Sequence, residues 1–233
     1  MQAQPQQLPP TGVIFDSDLG ASIDDILALA LLYGASTQKG ADVRLASVSI
    51  SRPDLQAAAF AEALGGFYSE ISNREIPERF RRRRSLPVGL TDGPSASPSP
   101  AMIAKPLARK NDQGEALYPQ EIHKITDTAE VSALIRNALT AYHDQNCRVL
   151  LTGPATNLVR VLDVGGGKGW VERKATFLTV AMGSFAGGKP DPHAAADIEA
   201  AQRLFAEWPS PIVAVGQEIG DAVDFPASAL DTQ

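Results

Sequence analysis

VIFDSDLGASIDDILALALL, residues 13–32, carries the reading of the fold. Val13–Ser17 is a short apolar strand that ends in polar residues. Ile23, Ile26, Leu27, Ala30 and Leu31 then recur at i, i+3, i+4, i+7 and i+8, the spacing of one helical face. A buried strand that feeds straight into a helix begins a βαβ unit, and the rest of the chain repeats the alternation. Val43–Ile50 reads as a strand ended by Arg52-Pro53-Asp54, and Leu55–Ile71 as an Ala-rich helix. Leu86–Leu90 reads as a third strand. Residues 91–126 hold Pro94, Pro98, Pro100, Pro106 and Pro119 with little periodicity, so they read as a long loop, either a functional lid or disordered. Helix is expected over Ala129–Tyr142 and strand over Arg148–Thr152. Gly153-Pro154 then opens a helix with Pro in its favoured first turn. Phe177–Met182 reads as strand, Asp197–Ala206 as helix and Ile212–Val215 as strand. The expectation is an α/β fold: an open, mainly parallel sheet with helices on both faces. It forms one domain over residues 12–233, preceded by a flexible arm at 1–11, with no internal repeat and no linker.

Composition narrows the function classes. The 233 residues are 44% hydrophobic and 21% charged, ordinary globular values. With 27 acidic against 21 basic side chains the net charge is −6, which argues against a nucleic-acid partner. The single cysteine, Cys147, excludes an internal disulfide and any multi-cysteine zinc or iron–sulfur site. Three histidines, at 123, 143 and 193, without an HExxH exclude a histidine-rich metal site. No apolar run reaches the length of a membrane span, so no membrane partner is expected. MQAQPQQLPPT has neither a basic n-region nor an apolar h-region and is not an intact signal peptide. It suits a solvated arm, or the start of a mature exported protein whose signal has been removed. A single thiol fits the cytoplasm and the periplasm or exterior alike.

In parallel α/β sheets, ligands bind beyond the carboxyl ends of the strands. That rule selects Asp16-Ser17-Asp18-Leu19-Gly20 and Asp24-Asp25 after strand one, and Gly153-Pro154-Ala155-Thr156-Asn157 after the strand at 148–152. After the strand at 177–182 it selects Gly183-Ser184-Phe185-Ala186-Gly187-Gly188, then Asp191-Pro192-His193. The strongest chemical signal is four aspartates, Asp16, Asp18, Asp24 and Asp25, within ten residues of one strand-to-helix turn. One or two are explained by the helix N-terminus, whose free N–H groups and dipole favour carboxylates. Four together would repel one another unless a cation sits among them, and Ca²⁺ or Mg²⁺ is the natural partner of an all-oxygen donor set.

These segments resemble the inosine–uridine-preferring nucleoside hydrolases. DSDLGASIDDILALALL is similar to that family's N-terminal signature, most closely in the branch with two extra residues before the final Asp-Asp pair. LLTGPATNLVRVL resembles its Gly-Pro-Leu-Thr-Asn turn and helix, and VAMGSFAGG its Met-Gly-Gly strand end. DPHAAADIEAAQRLF resembles its Glu-Phe-Asn segment with the Asp-Pro-Glu-Ala-Ala that follows, and WPSPIVAVGQEIG the next strand. The match runs from about residue 12 to 228, with the five pieces in order, each at an expected strand end. The resemblance implies a Rossmann-like nucleoside hydrolase fold and calcium-dependent hydrolysis of the N-glycosidic bond of a small-molecule nucleoside or riboside. By position, Asp18 matches the aspartate that binds calcium and acts as base on the metal-bound water. Asp25 matches a second calcium ligand, and Thr156 the residue that gives its backbone carbonyl to the metal. Asp24 matches the aspartate that hydrogen-bonds a ribose hydroxyl, with Asp16 a support behind the ligands. Asp191 and His193 stand in the ribose-binding segment where Glu and Asn are usual. Lys189 falls near an expected Asn, and Ser49 and Ser51 stand where an Asn is expected. Family members continue for several tens of residues past Gln233, where a further aspartate ligand follows His or Trp; Asp221 and Asp224 come too early to replace it. Either the sequence is a fragment or truncation of a longer protein, or the calcium site is incomplete; without that ligand the ion is expected to be weak or absent. The resemblance is compatible with a homo-oligomer.

Other segments have plainer readings. Arg79-Phe80-Arg81-Arg82-Arg83-Arg84 is read as a solvated basic face. Gly165-Gly166-Gly167-Lys168-Gly169 lacks the spacing and the Ser/Thr of a phosphate loop and is read as a flexible turn. There is no GxSxG elbow, and Cys147 has no nearby histidine, so a Ser or Cys nucleophile has little support. His123 and His143 are expected at the surface and Trp208 in packing. Two alternatives to the hydrolase stay open. One is a non-catalytic relative that binds a sugar or nucleoside. The other is a haloacid-dehalogenase-type phosphatase, whose first motif the strand-Asp16-Ser-Asp18 pattern fits.

Overall fold

A computed structural model describes residues 9–38, 40–72, 86–93, 99–187 and 190–223. β1 (Thr11–Ser17) is apolar on both of its faces, so it must lie in the middle of a covered sheet. It does: β1 pairs in parallel with β2 (Val43–Ile50) on one side and with β4 (Cys147–Thr152) on the other. β3 (Val88–Leu90), β5 (Ala175–Ala181) and β6 (Ile212–Val215) extend the two wings. The order is β3-β2-β1-β4-β5-β6, and every pairing is parallel.

The period of two along β1 divides the core. Val13 and Phe15 pack with α1 (Ile23–Thr37), α2 (Leu55–Ser72) and α3 (Ala101–Ala108) on one face. Ile14 packs with α4 (Val131–Thr140), α5 (Thr156–Asp163), α6 (Gly167–Lys174) and α8 (Ile198–Glu207) on the other. Two short helices complete the described elements, α7 (Pro192–Ala196) and α9 (Gln217–Gly220). The chain moves outward in one direction through β2 and β3, then returns to β4 and moves outward in the other. The reversal opens a crevice at the carboxyl ends of β1 and β4, the place where such sheets take ligands.

Four expectations need correction. The arm expected over 1–11 ends earlier, because Thr11 already pairs with Val43 in the sheet; residues 1–8 lie outside the described residues. The loop expected at 91–126 contains α3, anchored by the fully buried Ile103, and a 3-10 turn at Ile125–Asp127. Pro106 sits near the end of α3, where only two residues of the helix follow it. The glycine run read as a turn over 165–169 passes into α6 at Gly167, which backs onto the carbonyl of Val161 so closely that no side chain fits there. The helix read as opening at Gly153-Pro154 begins only at Thr156. The basic run at 79–84 lies outside the described residues. His123 and His143 are exposed, and Trp208 is buried with its indole N–H donated to Ser210 Oγ at 2.8 Å. No described helix is long and apolar enough to cross a membrane.

Candidate active site

Asp16 follows Ile14 by two residues and so turns to the same face, yet it is fully buried. The register places it opposite Ser49 on β2, whose hydroxyl donates to Asp16 Oδ2. Asn157, in the first turn of α5, donates its Nδ2 to the same oxygen at 2.8 Å. This pair of bonds ties β1, β2 and the start of α5 at the crevice. Burial pushes the Asp16 carboxyl up to about 7 against the pull of both hydrogen bonds, and the charge of Asp18 adds to the rise. Asp16 Oδ1 and Asn157 Oδ1 are buried without a hydrogen-bond partner among the described residues.

Asp18 lies one residue past β1, against the end of β4. A Cβ on Gly153 would stand 2.6 Å from the Asp18 nitrogen and 2.5 Å from Ser51 Oγ, so this turn closes only on glycine. Asp18 Oδ1 is buried with no hydrogen-bond partner among the described residues. Burial raises the Asp18 pKa; the positive charges of His193 and Arg52 and a hydrogen bond with Asp25 oppose the rise. Asp25, in the first turn of α1, is 3% exposed. Burial pushes it up to about 6. The Thr152 hydroxyl at the end of β4 opposes this, as does Ser22 Oγ, which donates to Asp25 Oδ2 at 3.2 Å, while the charges of Asp18 and Asp24 add to it. Asp24 itself is exposed.

Two further side chains, His193 and Arg52, flank Asp18. His193 is in α7, beyond β5, and its Nδ1 lies 2.7 Å from the Ala181 carbonyl. A carbonyl only accepts, so Nδ1 carries the hydrogen and Nε2 is the nitrogen left facing Asp18 Oδ1, at 3.9 Å. Arg52 follows β2. Its Nη2 pairs with Asp54 Oδ2 at 2.8 Å, and Asp54 is held in turn by Ser99 Oγ at 2.6 Å and the Gln56 N–H at 3.0 Å. Arg52 Nε is buried with no partner among the described residues.

Thr156 stands at the start of α5, three residues past Gly153; its hydroxyl donates to Asp197 Oδ2 at 2.6 Å, which ties α5 to the N-terminus of α8. Asp191 caps α7 by accepting the Ala194 N–H at 2.9 Å, and its neighbours there are Pro190, Ile198 and Phe205 on the outer surface. The structure thus gathers Asp16, Asp18, Asp25 and His193. It sets Thr156 on the adjoining turn, leaves Asp24 at the solvent edge, and engages Asp191 in a helix cap. Lys189 lies outside the described residues. Reading the sequence passed over the place of Arg52 beside Asp18, although it is the charged residue two positions past β2, and the part played by Asn157. An apolar hollow of about 250 Å³ between Phe60, Phe67, Leu107 and Tyr118 shares no residue with this cluster.

The cluster fits a hard divalent cation in kind. Asp18 and Asp25 are adjacent carboxylates whose burial is unfavourable in the charged form, and Asp18 Oδ1 lacks a partner that a cation would supply. It is short in number: among the described residues no group of three or more His, Cys, Asp or Glu side chains is placed to hold an ion. Calcium takes six to eight oxygens, so most would come from backbone carbonyls, water or substrate.

No protein-family model matches the chain, and no curated protein matches it in sequence. Solved structures do match in shape. The inosine–uridine preferring nucleoside hydrolase of Bacillus anthracis superposes with a TM-score of 0.62 at 20% identity over 95% of this chain and 69% of its own. A plant nucleoside hydrolase gives 0.61 at 19% identity, over 96% of this chain and 65% of its own. The chain therefore spans about two thirds of the length of these proteins, and at such identity the likeness is one of fold.

Proposed function

We propose that the protein hydrolyses the N-glycosidic bond of nucleosides or related ribosides in the crevice beyond β1 and β4. The observation that carries this reading is the pairing of half-buried Asp18 with buried Asp25 at the point where the strand order reverses, with one Asp18 oxygen left without a donor among the described residues. The shared fold with solved nucleoside hydrolases supports it.

Asp18 and Asp25 would hold calcium, with Thr156 giving its backbone carbonyl. Bound there, the ion would orient the ribose diol and make the attacking water more acidic. Asp18 takes a proton from the attacking water, and partial burial makes it a stronger base than an exposed aspartate. Water oxygen bonds to the anomeric carbon while the C–N bond breaks, and the electron pair of that bond leaves with the base nitrogen, which takes a proton from solvent water. Positive charge builds on the ribose as the bond lengthens, and Asp18, Asp24 and Asp25 stabilise it. Asp24, at the open edge, accepts from a ribose hydroxyl. His193, fixed by the Ala181 carbonyl, contacts the sugar from the β5 side. Asp16 holds β1 to Asn157 and Ser49 behind the reacting groups.

The short carboxylate set favours one second reading, a relative that binds a nucleoside without cleaving it. A panel of nucleosides, p-nitrophenyl riboside and p-nitrophenyl phosphate, each with Ca²⁺ or Mg²⁺, separates the two and includes the phosphatase alternative. Release of base and ribose supports hydrolysis, binding without release supports the second reading, and release of phosphate alone contradicts both.

A further inference from the structure

Arg52 is the charged side chain that the loop after β2 brings to the turn carrying Asp18. The Ser51 N–H donates to the Ser17 carbonyl at 2.9 Å, which lays the two loops side by side. Arg52 Nη2 lies 3.5 Å from the Leu19 carbonyl, and a Cβ on Gly20 would stand 3.5 Å from the same nitrogen, so the guanidinium rests on the β1–α1 turn. It is held there. Asp54, 2% exposed, takes Nη2 at 2.8 Å on one oxygen. Its other oxygen accepts Ser99 Oγ at 2.6 Å and the Gln56 N–H at 3.0 Å, which fix the carboxylate in place. The pairing leaves Arg52 Nε buried with no partner among the described residues. A guanidinium keeps its proton at any working pH. The edge of the Asp18–Asp25 pair therefore carries a fixed positive charge, and that charge is felt at Asp18, where it opposes the effect of burial.

We propose that Arg52 is the residue that sets the calcium affinity of this site, an inference that rests on the calcium-dependent reading above. With no ion bound, the guanidinium gives Asp18 a counter-charge from the protein itself. A divalent cation that enters meets this charge and is repelled by it, while Asp18 and Asp25 attract it. Affinity is thus held down by a resident positive charge as well as by the short set of carboxylates. The role is one of charge, so it passes to any cation at position 52 and is lost with any neutral side chain.

Calorimetric titration of the whole chain with calcium chloride tests this, at one fixed pH and in low-salt buffer, which leaves charge effects unscreened. Arg52→Met removes the charge. Arg52→Gln removes it too but still offers Asp54 an uncharged donor, so it decides the matter if the Met variant fails to fold. Both are expected to bind calcium about tenfold more tightly than the wild type, the scale of one unit charge near a divalent ion in a partly solvated site. Arg52→Lys keeps the charge and is expected to keep wild-type affinity. A gain separates this role from a structural one, because damage to the turn would loosen the site. Calcium bound by the wild type and no more tightly by Arg52→Gln, with an unchanged circular dichroism spectrum, overturns the proposal and leaves the calcium reading standing. So does Arg52→Lys binding as tightly as Arg52→Gln. A wild type and variants that all fail to bind calcium overturn the calcium reading and this inference with it.

Discussion

Asp16→Asn offers a test of the buried carboxyl in which the sign and the size both come from the structure. The folded carboxyl titrates at about 7, against 3.8 without the protein around it. The folded state therefore keeps a proton that the unfolded chain gives up. Stability is full below the unfolded value and falls as pH rises through the window from about 4 to about 7. Three pKa units correspond to about 4 kcal/mol, as an upper bound, at about 1.4 kcal/mol per unit. Asparagine cannot ionise, so the variant lacks this loss. It still accepts from Ser49, and its amide hydrogens can serve the Asn157 Oδ1 that now has no donor. Asp25, pushed up to about 6, adds a fall of the same sign, but it does so in both proteins and cancels in their difference. Urea unfolding followed by circular dichroism, with chelator present to keep divalent cations away, gives the stability of each protein across this range. The stability of Asp16→Asn minus that of wild type should rise from about pH 4 to about pH 8 by up to about 4 kcal/mol. A difference that stays constant with pH, or that shrinks as pH rises, refutes the buried-carboxyl account.

Other outcomes follow from the same contacts. Gly153→Ala puts a methyl group 2.6 Å from the Asp18 backbone nitrogen, so it should cost about 1–3 kcal/mol in chemical denaturation and displace Asp18 enough to depress turnover; unchanged stability would mean the β1 and β4 ends are not pressed together. Calcium binding measured by calorimetry should be weak, in the range of about 10⁻⁴–10⁻³ M, and lost in Asp25→Asn, because the described residues bring only two adjacent carboxylates to the site; a nanomolar site would contradict this. His193→Ala should lower turnover of ribosides about tenfold or more while leaving the melting temperature close to wild type, and wild-type kinetics would remove His193 from the site.

Much of the framework was legible because local pattern and tertiary role agree. β2 and β6 fall on the expected residues, and the β1–α1 turn is marked by the change from a continuous apolar run to helical spacing; of the face read as Ile23, Ile26, Leu27, Ala30 and Leu31, however, α1 buries Ile26, with Leu29 and Tyr33 beside it, and leaves Ile23 and Leu31 exposed. α3 was hidden because proline-rich sequence carries no periodicity, while its stability comes from one buried residue, Ile103, packed among residues remote in sequence. The site divides in the same way. Asp16, Asp18 and Asp25 could be found because they are close in sequence at a strand end. The roles of Asn157 and Ser49 depend on which strands are neighbours, since Asp16 meets Ser49 only through the β1–β2 register and Asn157 only across the β1–β4 junction. Asp191 shows the converse, since a position selected by a strand-end rule can be occupied with capping a helix.

The most direct measurement is product analysis of inosine and uridine incubated with the wild type and with Asp18→Asn in calcium-containing buffer. The account predicts equal amounts of free base and ribose from the wild type. It predicts a loss of at least about a hundredfold in Asp18→Asn, the scale of one positioned base, with an unchanged circular dichroism spectrum. Nucleosides left intact by the wild type, or cleaved equally well by Asp18→Asn, would contradict it.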